Sequence, residues 1–236
     1  MDVTKLLNKQ YSFNNQDLFS GLPDSVYEII KSNMSSQTFK AGEYIFKEDE
    51  KPTGVYRIKK GKVKKLTQTN FGTQHIFYIC KESEFLGYHA VLSKELYPDS
   101  AIAITDSEID FILEADFLRA VNESHELSQR LLKNLSHEFR VYINATKILA
   151  KHTVRERAAL NLLILESKFK NDLKQNTEII INRDDLASMV GTAKESVVRM
   201  LKDFKEEKLI TSRRSSIFIE DYNGLVKVAN FKKTSN

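Results

Sequence analysis

From Glu114 to Ala150 the chain runs without a glycine or a proline. With both strong helix breakers absent, the stretch is free to form a helix far longer than the usual 11 or so residues. From Leu132 its apolar positions step by 3, 4, 3, 4 and 3 through Leu135, Phe139, Tyr142 and Thr146 to Leu149. That is a heptad seam, the pattern by which one helix pairs with another. Packing on its own domain is the alternative; the length and the seam together favour a two-fold dimer. His125 and Ser128 interrupt the pattern at its start, so pairing is expected to be tightest between Leu132 and Leu149.

The chain differs on the two sides of this stretch. Between about residues 37 and 113 apolar and polar residues alternate with period two, as in Glu43-Tyr44-Ile45-Phe46, Val55-Tyr56-Arg57-Ile58 and Ile102-Ala103-Ile104. Gly42, Gly54, Gly61, Gly72 and Gly87 punctuate the runs. Short strands at such spacing predict an antiparallel sandwich or barrel. Before them, Leu18, Leu22, Val26 and Ile29-Ile30 fall at helical spacing, with Pro23 and Asp24 suited to a helix start. After Ala150, Val154 to Phe169 reads as a helix with Ala158, Leu162, Leu163 and Leu165 on its apolar face. A polar loop from Lys170 to Asn176 and a short buried strand, Glu178 to Ile181, follow. The class is α+β, in three parts: 1–115, 116–150 and 151–236.

The segment Asn182 to Leu201 constrains the third part most. Asn182 suits an N-cap, and Asp184 and Asp185 place negative charge in a first helical turn. Leu186, Ala187 and Val190 give that helix a buried face. Gly191 then ends it where a left-handed backbone is cheap only for glycine. Thr192 can cap a second helix, over about 193–207, whose inward face is Val197, Leu201 and Phe204. This is a helix-turn-helix, with Lys194, Glu195, Ser196 and Arg199 on the outer face of its second helix. There an arginine can bond guanine O6 and N7, and a glutamate can accept from cytosine N4. Leu209-Ile210 and Ile217-Phe218-Ile219 then flank the basic, hydroxyl-rich turn Thr211 to Ser216, forming a wing. Contacts to phosphate are expected from Asn182, Arg183, Thr192, Arg213, Arg214, Ser215 and Ser216.

Charge agrees with that assignment. Residues 150–236 carry 17 Lys/Arg against 12 Asp/Glu, whereas residues 1–149 carry 19 against 20. The positive excess lies where phosphates would be met. No nucleophile–base pair, phosphate-cradling glycine loop or HExxH spacing is present, so the sequence does not read as an enzyme. Cys80 is the single cysteine, which excludes an internal disulfide framework and a cluster held by several thiolates. No metal site or cofactor is expected; His75, Cys80 and His89 read as structural rather than as haem ligands. With no apolar run of membrane-spanning length and no secretory signal, no membrane partner and a cytoplasmic location are expected.

These residues, in this order, resemble the superfamily of the cyclic-AMP receptor protein and the fumarate–nitrate reductase regulator (CRP/FNR). Val190-Gly191-Thr192, Lys194-Glu195-Ser196-Val197 and Arg199 follow its recognition pattern. Gly42-Glu43-Tyr44-Ile45-Phe46, Ile58 to Gly61 with Val63, and Phe85-Leu86-Gly87 look like its cyclic-nucleotide-binding β-roll, a jelly roll. The resemblance implies a β-roll sensor domain over 1–115, a dimerisation helix over 116–150 and a winged helix-turn-helix DNA-binding domain over 151–236. It implies a homodimeric transcription regulator on a palindromic operator with a TGA-like element, and RNA polymerase as a partner if it activates. Glu195 and Arg199 match the family's base-reading positions. Lys194 stands where many members have arginine, which loses the two-bond fork.

Nucleotide-binding members carry Gly-Glu and Arg-Ser pairs in a phosphate cassette. Here the corresponding pairs are Gly87-Tyr88 and Asp99-Ser100. The carboxylate for the ribose is missing, and an acid stands where the cyclic phosphate needs a cation. Asp49 and Ser83 also replace glycines usual in the family. Cyclic AMP is therefore not the expected effector; another small molecule in the roll, or none, stays open. A ligand-binding module acting on another protein through the roll is the alternative function, and the wing and recognition helix argue against it.

Overall fold

The computed structural model describes residues 3–13, 15–16, 18–68, 72–170 and 177–230. The chain divides into two packed units, residues 13–141 and residues 1–12 with 142–236. The unanticipated helix α1 (Val3–Tyr11) belongs with the C-terminal unit, and the stretch 116–150, expected as a part of its own, is divided between the two units.

In the unit 13–141, helix α2 (Asp24–Lys31) begins after Pro23, as expected, and buries Val26, Ile29 and Ile30. The period-two runs form β1 (Ser35–Phe39), β2 (Tyr44–Phe46), β3 (Gly54–Lys60), β4 (Val63–Gln68), β5 (Gln74–Cys80) and β6 (Phe85–Leu86). A short helix, α3 (Tyr88–Ser93), precedes β7 (Ser100–Ala103) and β8 (Ser107–Leu113). They make two four-stranded antiparallel sheets, ordered β1-β8-β3-β6 and β2-β7-β4-β5. Val55, Ile58, Val63, Leu66, Ile76, Ile109 and Ile112 are buried in them, and α2 packs with Phe85, Tyr88, Ile112 and Phe117 in one apolar cluster. Asp49 and Ser83 adopt the left-handed backbone, at φ 66° and 70°. The turns thus keep a shape that glycine would adopt without strain.

The glycine-free stretch is not one helix. It divides into α4 (Glu114–Glu123) and α5 (His125–Lys151) at Ser124, whose backbone is extended. The Ser124 hydroxyl accepts from the backbone N–H of Leu127 at 3.1 Å, capping α5. A hydroxyl residue can therefore break a helix that lacks glycine and proline by offering the backbone another acceptor.

In the other unit, α6 (Val154–Phe169) starts in a capping box between Thr153 and Glu156 and buries Ala158, Leu162, Leu163 and Leu165, as expected. Most of the expected polar loop, 171–176, lies outside the described residues. Strand β9 (Ile179–Ile180) buries Ile179 but leaves Ile180 43% exposed, so that strand is only half buried. Helices α7 (Arg183–Val190) and α8 (Lys194–Glu206) follow, then β10 (Ile210–Arg213), β11 (Ser216–Ile219) and the unanticipated α9 (Tyr222–Val228). The three strands pair in the order β10-β11-β9. Among the described residues no helix is long and apolar enough to cross a membrane.

Candidate nucleic-acid interface

Three residues fix the end points of α7 and the turn that leads to α8. Asn182 accepts from Asp185 N at 2.7 Å as the N-cap of α7. Gly191 closes that helix at φ 68°, ψ 51°. Arg157 on α6, which sequence reasoning missed, donates from Nε to the carbonyl of Val190 at 2.7 Å and from Nη2 to that of Gly191 at 3.1 Å. Its Nη1 reaches the carbonyl of His152 at 2.9 Å. The carbonyls left without helical partners at the end of α7 are thus satisfied by a guanidinium. Only the local excess of unpaired carbonyls hinted at such a donor, and that excess is invisible before the fold is known.

Helix α8 is held by Val197, Leu201 and Phe204, each buried and each contributing about 1.5–3 kcal/mol by removal from water. Arg155 Nη2 donates to both carboxylate oxygens of Glu207, at 2.7 and 2.6 Å, and the guanidinium lies 4.9 Å from the Phe204 ring centroid. The expected cap is one residue early: Ala193, not Thr192, is the N-cap, and it makes no side-chain bond. Thr192 is half-buried, its N–H bound to the carbonyl of Ala187.

The outer face of α8 presents Lys194, Glu195, Val198, Arg199 and Lys202, all exposed, with Ser196 half-buried. Lys194 Nζ leans back to Asp184 Oδ2 at 2.8 Å, an exposed pair. Val198 did not stand out in the sequence, and it is 48% exposed.

The residues expected at phosphate separate into two groups. The Asn182 amide is occupied by Asp185 on both sides. Arg183 donates to the carbonyl of Arg214 at 2.9 Å, its Nη1 is buried without a hydrogen-bond partner, and burial lowers its pKa. The Ser216 hydroxyl donates to Glu178 at 2.6 Å. Arg183 and Ser216 thus brace the wing, and Asn182 caps α7. Arg213, Arg214 and Ser215 are exposed at its tip, where the strands turn through Arg214 at φ 50°.

On α5 the buried face runs Leu127, Leu131, Asn134, Glu138, Val141 and Ile148. The opposite face carries Leu132 (59% exposed), Phe139 (67%) and Ile143, with Leu149 also exposed. Leu135 is turned inward against the apolar cluster, and Tyr142 is half-buried. The outward stripe therefore runs through Ile143, one residue off the register expected from spacing.

Inside the roll, Gly87 takes φ 80° at the start of α3, and a Cβ there would lie 3.3 Å from Tyr97. Tyr88 is buried, its hydroxyl on Glu138 of α5; Glu138 also accepts from Asn15 Nδ2 at 3.1 Å. Burial raises the Glu138 pKa and pushes the Tyr88 phenol well above 10. Asp99 is buried and paired with Lys65 at 2.9 Å, both side chains 4% exposed. His89 Nε2 stands 3.4 Å from the other Asp99 oxygen, an ion-pair distance without hydrogen-bond alignment. Burial would raise the Asp99 pKa, but Lys65 and His89 outweigh it and the net direction is down. The Ser100 hydroxyl accepts from Glu48 N at 2.9 Å. Tyr88, Asp99 and Ser100 thus each bond within the protein itself.

Comparison with known families agrees with this geometry. The cyclic nucleotide-binding domain family matches residues 36–124, and the Crp-like helix-turn-helix domain family matches residues 156–228. The chain belongs to the CRP/FNR family of transcription regulators.

Among this regulator's relatives is the transcriptional activator protein anr of Pseudomonas aeruginosa, 28% identical over 203 residues, covering 84% of this chain and 80% of that protein. The CRP-like cAMP-activated global transcriptional regulator of Mycobacterium tuberculosis is 25% identical over 215 residues, covering 90% and 96%. The structure of FixK2 from Bradyrhizobium japonicum superposes with a TM-score of 0.73 at 19% identity, over 83% and 96%. The regulator carries a helix-turn-helix DNA-binding domain of the family type, and dimers on palindromic operators are typical of the family. A protein-controlling module without DNA contact is not favoured. The homologues are transcription regulators, which are not enzymes.

Proposed function

We propose that the regulator is a homodimer that reads a palindromic operator in double-stranded DNA with Glu195, Ser196 and Arg199, helped by Lys194, and holds the backbone with Arg213, Arg214 and Ser215. The observation that carries this reading is the outer face of α8. Its N-terminal half is polar and exposed, whereas Val197, Leu201 and Phe204 fix the helix in the fold. Pairing is assigned to the α5 stripe of Leu132, Phe139 and Ile143. Half-sites then lie about one helical turn, roughly 34 Å, apart.

The roll acts as a sensor domain that does not answer to cyclic AMP. Supporting this, Lys65 and Asp99 neutralise each other inside it and Tyr88 replaces the ribose-binding carboxylate. A small-molecule effector of another class, and contact with RNA polymerase in an activating role, fit the same frame. The protein works in the cytoplasm, where its DNA is, and performs no catalysis.

Selection from random duplex DNA tests the reading. An inverted repeat should emerge, while cyclic AMP should leave both binding and the melting temperature unchanged. Recovery of no sequence preference would overturn the DNA assignment; a clear upward melting shift would overturn the effector assignment.

A further inference from the structure

The first sheet of the roll ends on β1, Ser35-Ser36-Gln37-Thr38-Phe39, and this edge lacks the guards that keep other strands away. Proteins protect free edges with charged side chains, proline, bulges, short length or a covering element. The other three edges of the roll follow that rule. Strand β6 has two residues, β2 has three and a shifted register, and β5 is mostly buried and shifted against β4. In contrast, β1 is five residues long, without charge or proline, and pairs with β8 in unbroken register from Ser35↔Phe111 to Phe39↔Ser107. Ser35 to Thr38 are exposed and Phe39 is half-buried. Among the described residues, no backbone group of the five is bonded outside the β8 ladder. About half of the backbone groups of such an edge point outward, here along about 17 Å of strand.

The side chains of the strand select what it takes. Small polar groups form no pockets for a foreign sequence, so main-chain bonding is the chief attraction, and an identical strand supplies it. Turned antiparallel about a two-fold at Gln37, β1 meets a second β1 with Gln37 opposite Gln37, Ser36 opposite Thr38 and Ser35 opposite Phe39. Hydroxyl faces hydroxyl, and no like charges meet. The acids one strand in, Glu108 and Asp110, are already engaged by Lys59 and by the Ser36 hydroxyl. We infer that β1 is a second self-association surface, through which dimers of the regulator join edge to edge. A pair of five-residue strands is smaller than a stable interface needs, so the contact is weak in free solution. On neighbouring operators it becomes effective. A dissociation constant of about 0.1 mM against an effective concentration of about 1 mM favours joint occupancy roughly tenfold. Joint occupancy rests on the operator-reading function proposed above; the pairing of strands does not.

Sedimentation of the full chain at rising concentration, up to several tenths of a millimolar, tests the pairing. Wild type should pass from dimers to tetramers and longer assemblies, since each dimer has two such edges. Q37K, which sets two lysines face to face at the two-fold, should stay dimeric, and so should Q37E. An equimolar mixture of the two should recover the larger species, which misfolded variants could not do. On duplexes carrying two operators obtained by selection, wild type should fill the pair about tenfold more tightly than independent sites. Q37K should fill them independently, with its affinity for a single operator unchanged. A wild type that stays dimeric throughout, a Q37K protein that still assembles, or charge variants that do not reassemble on mixing would each overturn the pairing. If no operator emerges while assembly and its rescue by mixing are seen, the operator-reading function fails and the strand pairing stands.

Discussion

The outer face of α8 and the interior of the β-roll are both polar, yet their side chains are placed in opposite ways. On α8, Glu195 and Arg199 are exposed and Lys194 holds only an exposed pair with Asp184. In the roll, Asp99, Lys65, Glu138 and Tyr88 are buried and partnered with one another. Exposed polar groups remain available to an outside partner. Buried groups that satisfy each other offer a ligand little, because entry would first have to break those pairs. The same family architecture thus carries an exposed polar surface in one unit and a closed polar network in the other.

The strongest test of that contrast is Lys65→Ala. It leaves Asp99 buried without its cation and should cost about 3–5 kcal/mol in denaturant unfolding. A Lys65→Met, Asp99→Asn double variant should recover much of the loss. A single-variant cost under about 1 kcal/mol would mean that the network is open to water after all. Next is Phe139→Asp, on the outward stripe of α5. Sedimentation should show a monomer at micromolar concentration, with operator affinity reduced about a hundredfold or more as two-site binding is lost. A persistent dimer would move the pairing surface elsewhere.

Smaller effects separate reading from positioning. Arg199→Ala should cost about 1–3 kcal/mol on the selected operator and relax the preference at one base pair. Arg213→Ala should weaken every sequence alike and flatten the salt slope by about one; equal loss from both variants on random DNA would erase the distinction. The smallest effect concerns pH. Burial and Lys65 hold His89 below its ordinary pKa of 6.5, against the pull of Asp99. The unfolded chain then takes up a proton more readily than the native one, so stability declines as pH falls below 6.5. His89→Gln should remove part of that acid-side slope, and an unchanged slope would place the acid sensitivity elsewhere.

What could be read from the sequence follows the distance over which each feature is decided. Asn182 capping Asp185, and Gly191 ending α7, are set within a few residues, and both appear where spacing placed them. The inward face of α8 was legible for the same reason. The α5 seam was only half legible: two helical stripes one residue apart share Leu132 and Phe139, and burial alone separates Leu135 from Ile143. The acid at position 99 was visible in the chain, but its cation was not. Lys65 meets Asp99 because β4 and β7 are neighbours in one sheet, and Tyr88 meets Glu138 fifty residues away. The partners of Arg183 and Ser216 were hidden likewise, which is why both read as phosphate ligands although Arg214 and Glu178 engage them.

Arg157 has a consequence for how fast an operator is released. By spanning the carbonyls of His152, Val190 and Gly191, it ties the end of α7 and the turn that leads to α8 to the start of α6 before DNA arrives. Little backbone freedom then remains to be surrendered on association, so less of the contact energy is spent on ordering. A regulator with a stiff reading head dissociates slowly from a matched site. Loosening this one guanidinium would therefore shorten the residence time without touching a base contact.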